Sequence, residues 1–206
     1  RHLNQRSEML SGISHDLRTP LTRIKLQLAL IKDKKIATEL SEDVNEMEKM
    51  LNEYLQFAKT GAEEKSERFK LEELIKYILS KYNNKKINFN FDESIMYEGR
   101  KELLKRCFKN LIDNSLKYAN IVEIKSKKLR KEIIIDIDDD GPGIPKNEYK
   151  NVFRPFYKID KSRSDSKSSV GLGLSISSDI VRSHGGKIEL DRSNLGGLNV
   201  RVFLPF

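Results

Sequence analysis

The sequence predicts two folds in one chain of 206 residues: an all-α helical hairpin that pairs into a dimeric four-helix bundle, then an α+β sandwich with helices on one face of a sheet. Three observations carry this. Apolar residues recur at helical steps through the N-terminal third; the stretch Thr60 to Glu67 (TGAEEKSE) loses periodicity; and after Arg68 helical and alternating segments follow one another. The domains are therefore drawn at 1–60 and 68–206, with a linker at 61–67.

Met9, Ile13, Leu17, Leu21, Ile24, Leu28 and Ile31 stand three or four residues apart and form one apolar stripe of a first helix. Leu40, Val44, Met47, Leu51, Tyr54 and Leu55 do the same for a second. The short polar break Lys32 to Lys35 favours an antiparallel hairpin. Two helices leave each stripe half covered, whereas two hairpins face to face bury all four, so a homodimer through the hairpin is expected.

Beyond the linker, Leu71 to Tyr82 reads as helix, Ile87 to Phe91 as strand, and Arg100 to Tyr118 as a long helix with Leu103, Leu104, Phe108, Leu111, Ile112 and Leu116 on its apolar side. Val122 to Ser126 and Glu132 to Asp138 read as neighbouring strands. Gly171 to His184 reads as helix, and Lys187 to Leu190 and Leu198 to Leu204 as closing strands.

Composition narrows the function. The formal charge is +8, but the basic residues are scattered among 31 acidic ones and make no aromatic-interleaved stripe, which argues against nucleic acid. Cys107 is the single cysteine, so no internal disulfide forms and a reducing compartment is expected. No run approaches the length of a spanning helix and no signal peptide stands at the N-terminus, so the chain as given reads as soluble. It begins inside helical sequence, and a membrane anchor is expected only in an upstream part.

Two groups of motifs carry chemistry. In Ser14-His15-Asp16-Leu17-Arg18-Thr19-Pro20-Leu21, His15 lies to one side of the apolar stripe, where a neutral imidazole can attack phosphorus near neutral pH. Asp16 can orient the ring and stabilise the charge that develops. Thr19 is one turn along the same face, with a hydroxyl able to position a water, and Pro20 removes a helix hydrogen bond beside them.

Asn110 and Asn114 are four apart on the long helix, a spacing that lets two amide oxygens complete the shell of a magnesium ion bridging phosphates. Lys117 adds positive charge and Tyr118 an aromatic surface for a base. In Asp139-Asp140-Gly141-Pro142-Gly143-Ile144, a carboxylate at a strand end can accept from an exocyclic amine while Gly141 and Gly143 let the backbone approach a ring. Gly171-Leu172-Gly173-Leu174 opens a helix whose free N–H groups favour an anion. Between them, Arg154 to Val170 is polar and lid-like, with Phe153, Phe156 and Tyr157 at its start.

The run SHDLRTPLTRI from Ser14 to Ile24 resembles the H-box of sensor histidine kinases, closest in form to the osmosensing EnvZ type. The later elements resemble the N, G1, F and G2 boxes of the ATP-binding domain that those kinases share with gyrase, Hsp90 and MutL-type ATPases. Together the resemblance covers nearly the whole chain. It implies a two-component sensor kinase core in which ATP phosphorylates His15, with Asp16 as autokinase base and Asn114 among the catalytic residues. The phosphoryl group then passes to an aspartate of a response regulator receiver domain, and Thr19 supports a phosphatase activity. By the same resemblance, Asp139 would read the adenine amino group, and Asn110 and Asn114 would serve Mg2+. The expected location is the cytoplasmic side of an inner-membrane sensor. One departure from the family pattern G-[TS]-G-L-G-L is Ser169-Val170 before Gly171. Two other readings compete: a nucleotide-binding scaffold that only docks a receiver, and a conformational ATPase. The H-box argues against the ATPase, as does Asn110, where those relatives carry glutamate.

Overall fold

A computed structural model describes residues 17, 19–31, 33–82, 86–91, 94–159 and 171–206. The chain divides into two compact units, one through Glu64 and one from Lys65. This division lies within the stretch 61–67 read as a linker.

In the first unit, helix α1 spans residues 19–28 and α2 spans Lys34–Glu63. Asp33 starts α2: its Oδ1 accepts from the backbone N–H of Lys35 (3.0 Å) and Ile36 (3.2 Å), two donors that helix geometry leaves unpaired. The hairpin is antiparallel, for Leu21, Leu28 and Val44 form one buried cluster with Leu51 against it, and Lys25 Nζ meets Glu48 at 2.5 Å. Leu17, Ile24, Leu40 and Met47 stay exposed, so half of the apolar pattern is uncovered within one chain. Met9 and Ile13 lie outside the described residues.

α2 continues through Glu63, and strand β1 begins at Glu67. The stretch read as a linker at 61–67 is therefore irregular only at residues 64–66. Ala62 and Glu63 are good helix formers, and a helix already long extends over them at little cost.

The second unit opens on a small sheet, β1 (Glu67–Lys70) antiparallel to β3 (Met96–Gly99), with Phe69 opposite Tyr97 and their rings edge to face. Both strands escape the sequence reading because four residues are too few to display alternation. The main sheet has five strands in the order β2-β4-β5-β7-β6: Lys86–Phe91, Ile121–Lys128, Glu132–Asp139, Leu198–Pro205 and Lys187–Arg192. β2 and β4 are parallel and every other pair is antiparallel.

Along β5, Ile133, Ile135, Ile137 and Asp139 are buried, while the residues between them are half-exposed. The buried face meets α4 (Lys101–Tyr118) and α5 (Gly173–Ser183), and α3 (Leu71–Leu79) packs against α4. α4 supplies Leu103, Leu104, Phe108, Leu111 and Ile112 to this core, and α5 supplies Ile176, Ile180 and Val181. Cys107 is fully buried, and burial pushes its thiol up to about 12, so it packs as a small apolar residue.

In the second unit, two helix ends differ from the sequence reading by more than one residue. α3 stops at Leu79, followed by a turn at Ser80 and Lys81. α5 starts at Gly173 because Gly171 has φ +76°, a left-handed conformation that cannot begin a helix.

Candidate nucleotide-binding site

One end of β5 organises the site. Asp139 is its last residue and is buried, and its Oδ1 accepts from the backbone N–H of Gly141 and of Leu198, each at 3.0 Å. The Asp139 carbonyl accepts from Gly197 N at 3.0 Å. Both donors to the side chain thus converge on one oxygen, and among the described residues Oδ2 has no partner. A buried carboxylate fixed in this way presents an acceptor to a donor on a ligand.

The glycines let backbone close round this carboxylate. A Cβ on Gly141 would stand 3.0 Å from the Tyr118 carbonyl and 3.1 Å from Asp139 Oδ1, while one on Gly197 would overlap the same carboxylate oxygen and Gly141 N. Gly143 has φ +69° and turns the chain away. Gly197 and the Leu198 N–H were not among the sequence-predicted site residues. The paired glycines Gly196-Gly197 before β7 were the available signal.

Asp140 ties this loop to the end of α4. Its Oδ1 accepts from Asn120 N at 2.8 Å and Ile121 N at 2.9 Å, and these bonds, that from Ile121 foremost, hold its carboxyl below the ordinary aspartate range. A carboxyl lowered in the folded state adds stability above its unfolded value of about 3.9, and the contribution is lost as pH falls through the lowered value. Asp140→Asn, which cannot ionise, is therefore expected to flatten the acid side of the stability profile. Urea unfolding midpoints between about pH 5 and pH 2 would show this.

α4 carries Asn110, Asn114, Lys117 and Tyr118. Both asparagines are half-buried, and among the described residues neither side-chain amide has a hydrogen-bond partner. Lys117 Nζ is buried, also without a hydrogen-bond partner, 5.3 Å from the Tyr118 ring centroid. A desolvated ammonium facing only an aromatic ring is costly, and an anionic ligand would remove that cost. Tyr118 is half-exposed, so its ring is open to a ligand.

The start of α5 lies beside α4: a Cβ on Gly173 would meet only Asn110 Cβ, at 3.9 Å. No side chain caps the helix at Leu172, which leaves first-turn N–H groups turned toward the asparagines' neighbourhood. Leu172 is buried in the core, so only its backbone can face a ligand, and Leu174 and Ile144 are half-buried. Phe156 N donates to the Gly171 carbonyl at 3.0 Å, joining the two ends of the intervening segment. Phe156 has φ 65° and an exposed ring, an uncommon backbone state for a residue with a side chain. Tyr157 OH donates to Glu148 Oε2 at 2.5 Å and fixes the next residue. Of the predicted lid, residues 160–170, with Ser169-Val170, lie outside the described residues.

The structure thus gathers Asp139, Gly141, Gly143, Asn110, Asn114, Lys117, Tyr118, Gly171 and Gly173 at one end of the second unit. These residues fit a nucleotide with a divalent ion: an acceptor at a base position, two unengaged amides, an unpaired cation and a helix N-terminus. His15 and Asp16 lie outside the described residues. Thr19 is exposed on α1.

Comparison with known proteins gives the family. Residues 99–206 match the family described as histidine kinase-, DNA gyrase B-, and HSP90-like ATPase, and residues 5–63 match the His Kinase A (phospho-acceptor) domain. The sensor histidine kinase GtrS of Pseudomonas aeruginosa is 34% identical over 207 residues, which cover 100% of this chain and 43% of that protein. The sensor histidine kinase CpxA of Escherichia coli K12 is 30% identical over 220 residues, covering 100% of this chain and 48% of that one. The chain thus spans about half the length of the curated relatives it matches.

Among solved structures, full-length ShkA in complex with AMPPNP aligns with a TM-score of 0.73 at 20% identity, over 97% of this chain and 46% of that one. The Acinetobacter baumannii histidine kinase AdeS aligns at 0.61 and 22%, over 93% and 97%. Both share the fold. The chain belongs to the sensor histidine kinases, with a phospho-acceptor domain followed by an ATPase domain of the histidine kinase, gyrase B and HSP90 kind.

Proposed function

We propose that this chain binds ATP with Mg2+ in the second unit, transfers the γ-phosphoryl group to His15, and passes it to an aspartate of a response regulator receiver domain. The observation that carries the reading is the buried, unpaired Lys117 ammonium beside two unengaged amides and the open start of α5. Asp139 Oδ2 accepts from the adenine amino group, Tyr118 stacks on the base, and Lys117 and the α5 N–H groups hold phosphate. Asn110 and Asn114 would hold a magnesium ion through their amide oxygens, and the ion would supply neutralising charge to the phosphates.

At the acceptor, a His15 ring nitrogen forms a bond to phosphorus as the bond from phosphorus to the β-bridging oxygen breaks, and Asp16 takes the ring proton. Thr19, one turn on, positions water for the phosphatase activity, in which the receiver's phosphoaspartate is hydrolysed to aspartate and inorganic phosphate. Of the three histidines, His184 is disfavoured as acceptor because both ring nitrogens are engaged: Nδ1 with the Ile180 carbonyl at 2.8 Å, Nε2 accepting from Arg100 N at 3.1 Å. The exposed Leu17, Ile24, Leu40 and Met47 fit a second hairpin, so the active form is a homodimer. In its parent protein this core faces the cytoplasm below an inner-membrane sensor. Among the described residues no helix is long and apolar enough to cross a membrane.

Incubation with γ-labelled ATP and Mg2+ tests the reading. Label that survives base but not acid, and is absent from His15→Gln, is the expected result, since phosphoimidazole is acid-labile. ATP binding without label would point to the scaffold, and hydrolysis indifferent to His15→Gln to a conformational ATPase.

A further inference from the structure

We propose that Tyr82 and Lys109 tune the nucleotide site by holding the Asp113 carboxylate away from Lys117. The inference rests on the reading of the second unit as an ATP site and adds positioning residues that its motifs do not include.

Asp113 stands on α4 four residues after Lys109 and four before Lys117, so its carboxylate can reach either lysine. Helix electrostatics favour the acid N-terminal to the base, which is the Asp113 to Lys117 order. The structure shows the opposite choice. Asp113 Oδ2 pairs with Lys109 Nζ at 2.5 Å, and Oδ1 accepts from Tyr82 OH at 2.5 Å. Both oxygens are engaged by groups other than Lys117, whose buried ammonium is left without a hydrogen-bond partner.

Tyr82 is the element from outside α4 that decides this. It follows the turn at the end of α3 and reaches Asp113 across 31 positions of sequence, so the packing of α3 on α4 sets the charge offered to phosphate. Burial first, then the Asp113 hydrogen bond, hold its phenol above the ordinary tyrosine range, so it remains a donor at any physiological pH. Without that donor, one side-chain rotation carries Asp113 to Lys117. The resulting pair cancels the cation that the β- and γ-phosphates meet, but touches nothing that the adenosine moiety meets.

Calorimetric binding of adenosine, ADP and the β,γ-imido analogue of ATP, with Mg2+, to the full 206-residue chain tests this. Tyr82→Phe is expected to weaken ADP and the analogue about fivefold to tenfold while adenosine changes by less than about twofold. Adding Asp113→Asn to Tyr82→Phe restores the affinity, because a neutral amide cannot neutralise Lys117. Lys109→Met, which frees the other oxygen, acts in the same direction and gives a second route if the tyrosine variant folds poorly. Equal loss for adenosine, failure of Asp113→Asn to rescue, or no change in either variant overturns the inference. If the wild-type chain binds none of the three ligands, the ATP reading itself fails, and that result is distinct from the other outcomes.

Discussion

Asp139→Asn is expected to lower ATP affinity about 100-fold, roughly 3 kcal/mol, while leaving the fold intact. The two halves of that result come from different oxygens. Oδ1 holds the Gly141 and Leu198 N–H groups, and an asparagine carbonyl can still accept both. Oδ2 is the unengaged acceptor, and an amide NH2 in its place opposes the exocyclic amine of adenine donor to donor. Asp139→Ala separates the effects, for it also orphans two N–H groups at a buried site and is expected to cost about 2–4 kcal/mol of unfolding stability. Calorimetric titration with ADP and urea unfolding of both variants check the two numbers. Equal affinity loss without the stability difference would show that Oδ1 does not hold the loop.

Lys117→Met is expected to move stability and binding in opposite directions. In the unliganded protein it removes a desolvated ammonium without a hydrogen-bond partner, and an apolar side chain of similar length should raise unfolding stability by about 1 kcal/mol. Toward ADP and ATP it removes a charge-assisted hydrogen bond, and affinity should fall about 10-fold to 100-fold, with adenosine affected far less. The readout is thermal unfolding with and without saturating ADP. Wild type gains more from nucleotide than the methionine variant, since stabilisation follows the logarithm of ligand concentration over Kd. A variant less stable without ligand would mean that Lys117 has a structural partner instead.

Most of this architecture is legible in the chain because its signals are periodic. α4 is announced by Leu103, Leu104, Phe108, Leu111 and Ile112, and β5 by its alternating isoleucines. The site residues are legible for a different reason: Asp139, Gly141, Gly143, Gly171 and Gly173 sit at a strand end or a helix start, where glycine and unpaired backbone make a local pattern, while Asn110, Asn114, Lys117 and Tyr118 stand at short helical spacing along α4. What stays hidden depends on contacts between distant segments. β1 and β3 are joined by a short antiparallel ladder that carries the Phe69–Tyr97 ring pair and the Arg68–Glu98 ion pair between distant segments, and no four-residue segment declares that. Gly197 looks like an ordinary turn glycine until the fold brings it against Asp139. The choice of Asp113 for Lys109 and Tyr82 over Lys117 runs against the helix-local preference, because a phenol from another element outweighs it. α2 runs on through Glu63 past the loss of apolar periodicity at Thr60, because periodicity reports which side chains pack and not where helical backbone stops.

The most direct test of the central claim is to map the phosphate. After brief incubation with ATP and Mg2+, the chain is digested and analysed at alkaline pH by fragmentation that preserves phosphoimidazole. One phosphate on His15, absent from Asp139→Asn at ATP concentrations that saturate the wild type, is the expected result. A phosphate on His184, on a serine or on no residue would contradict the account.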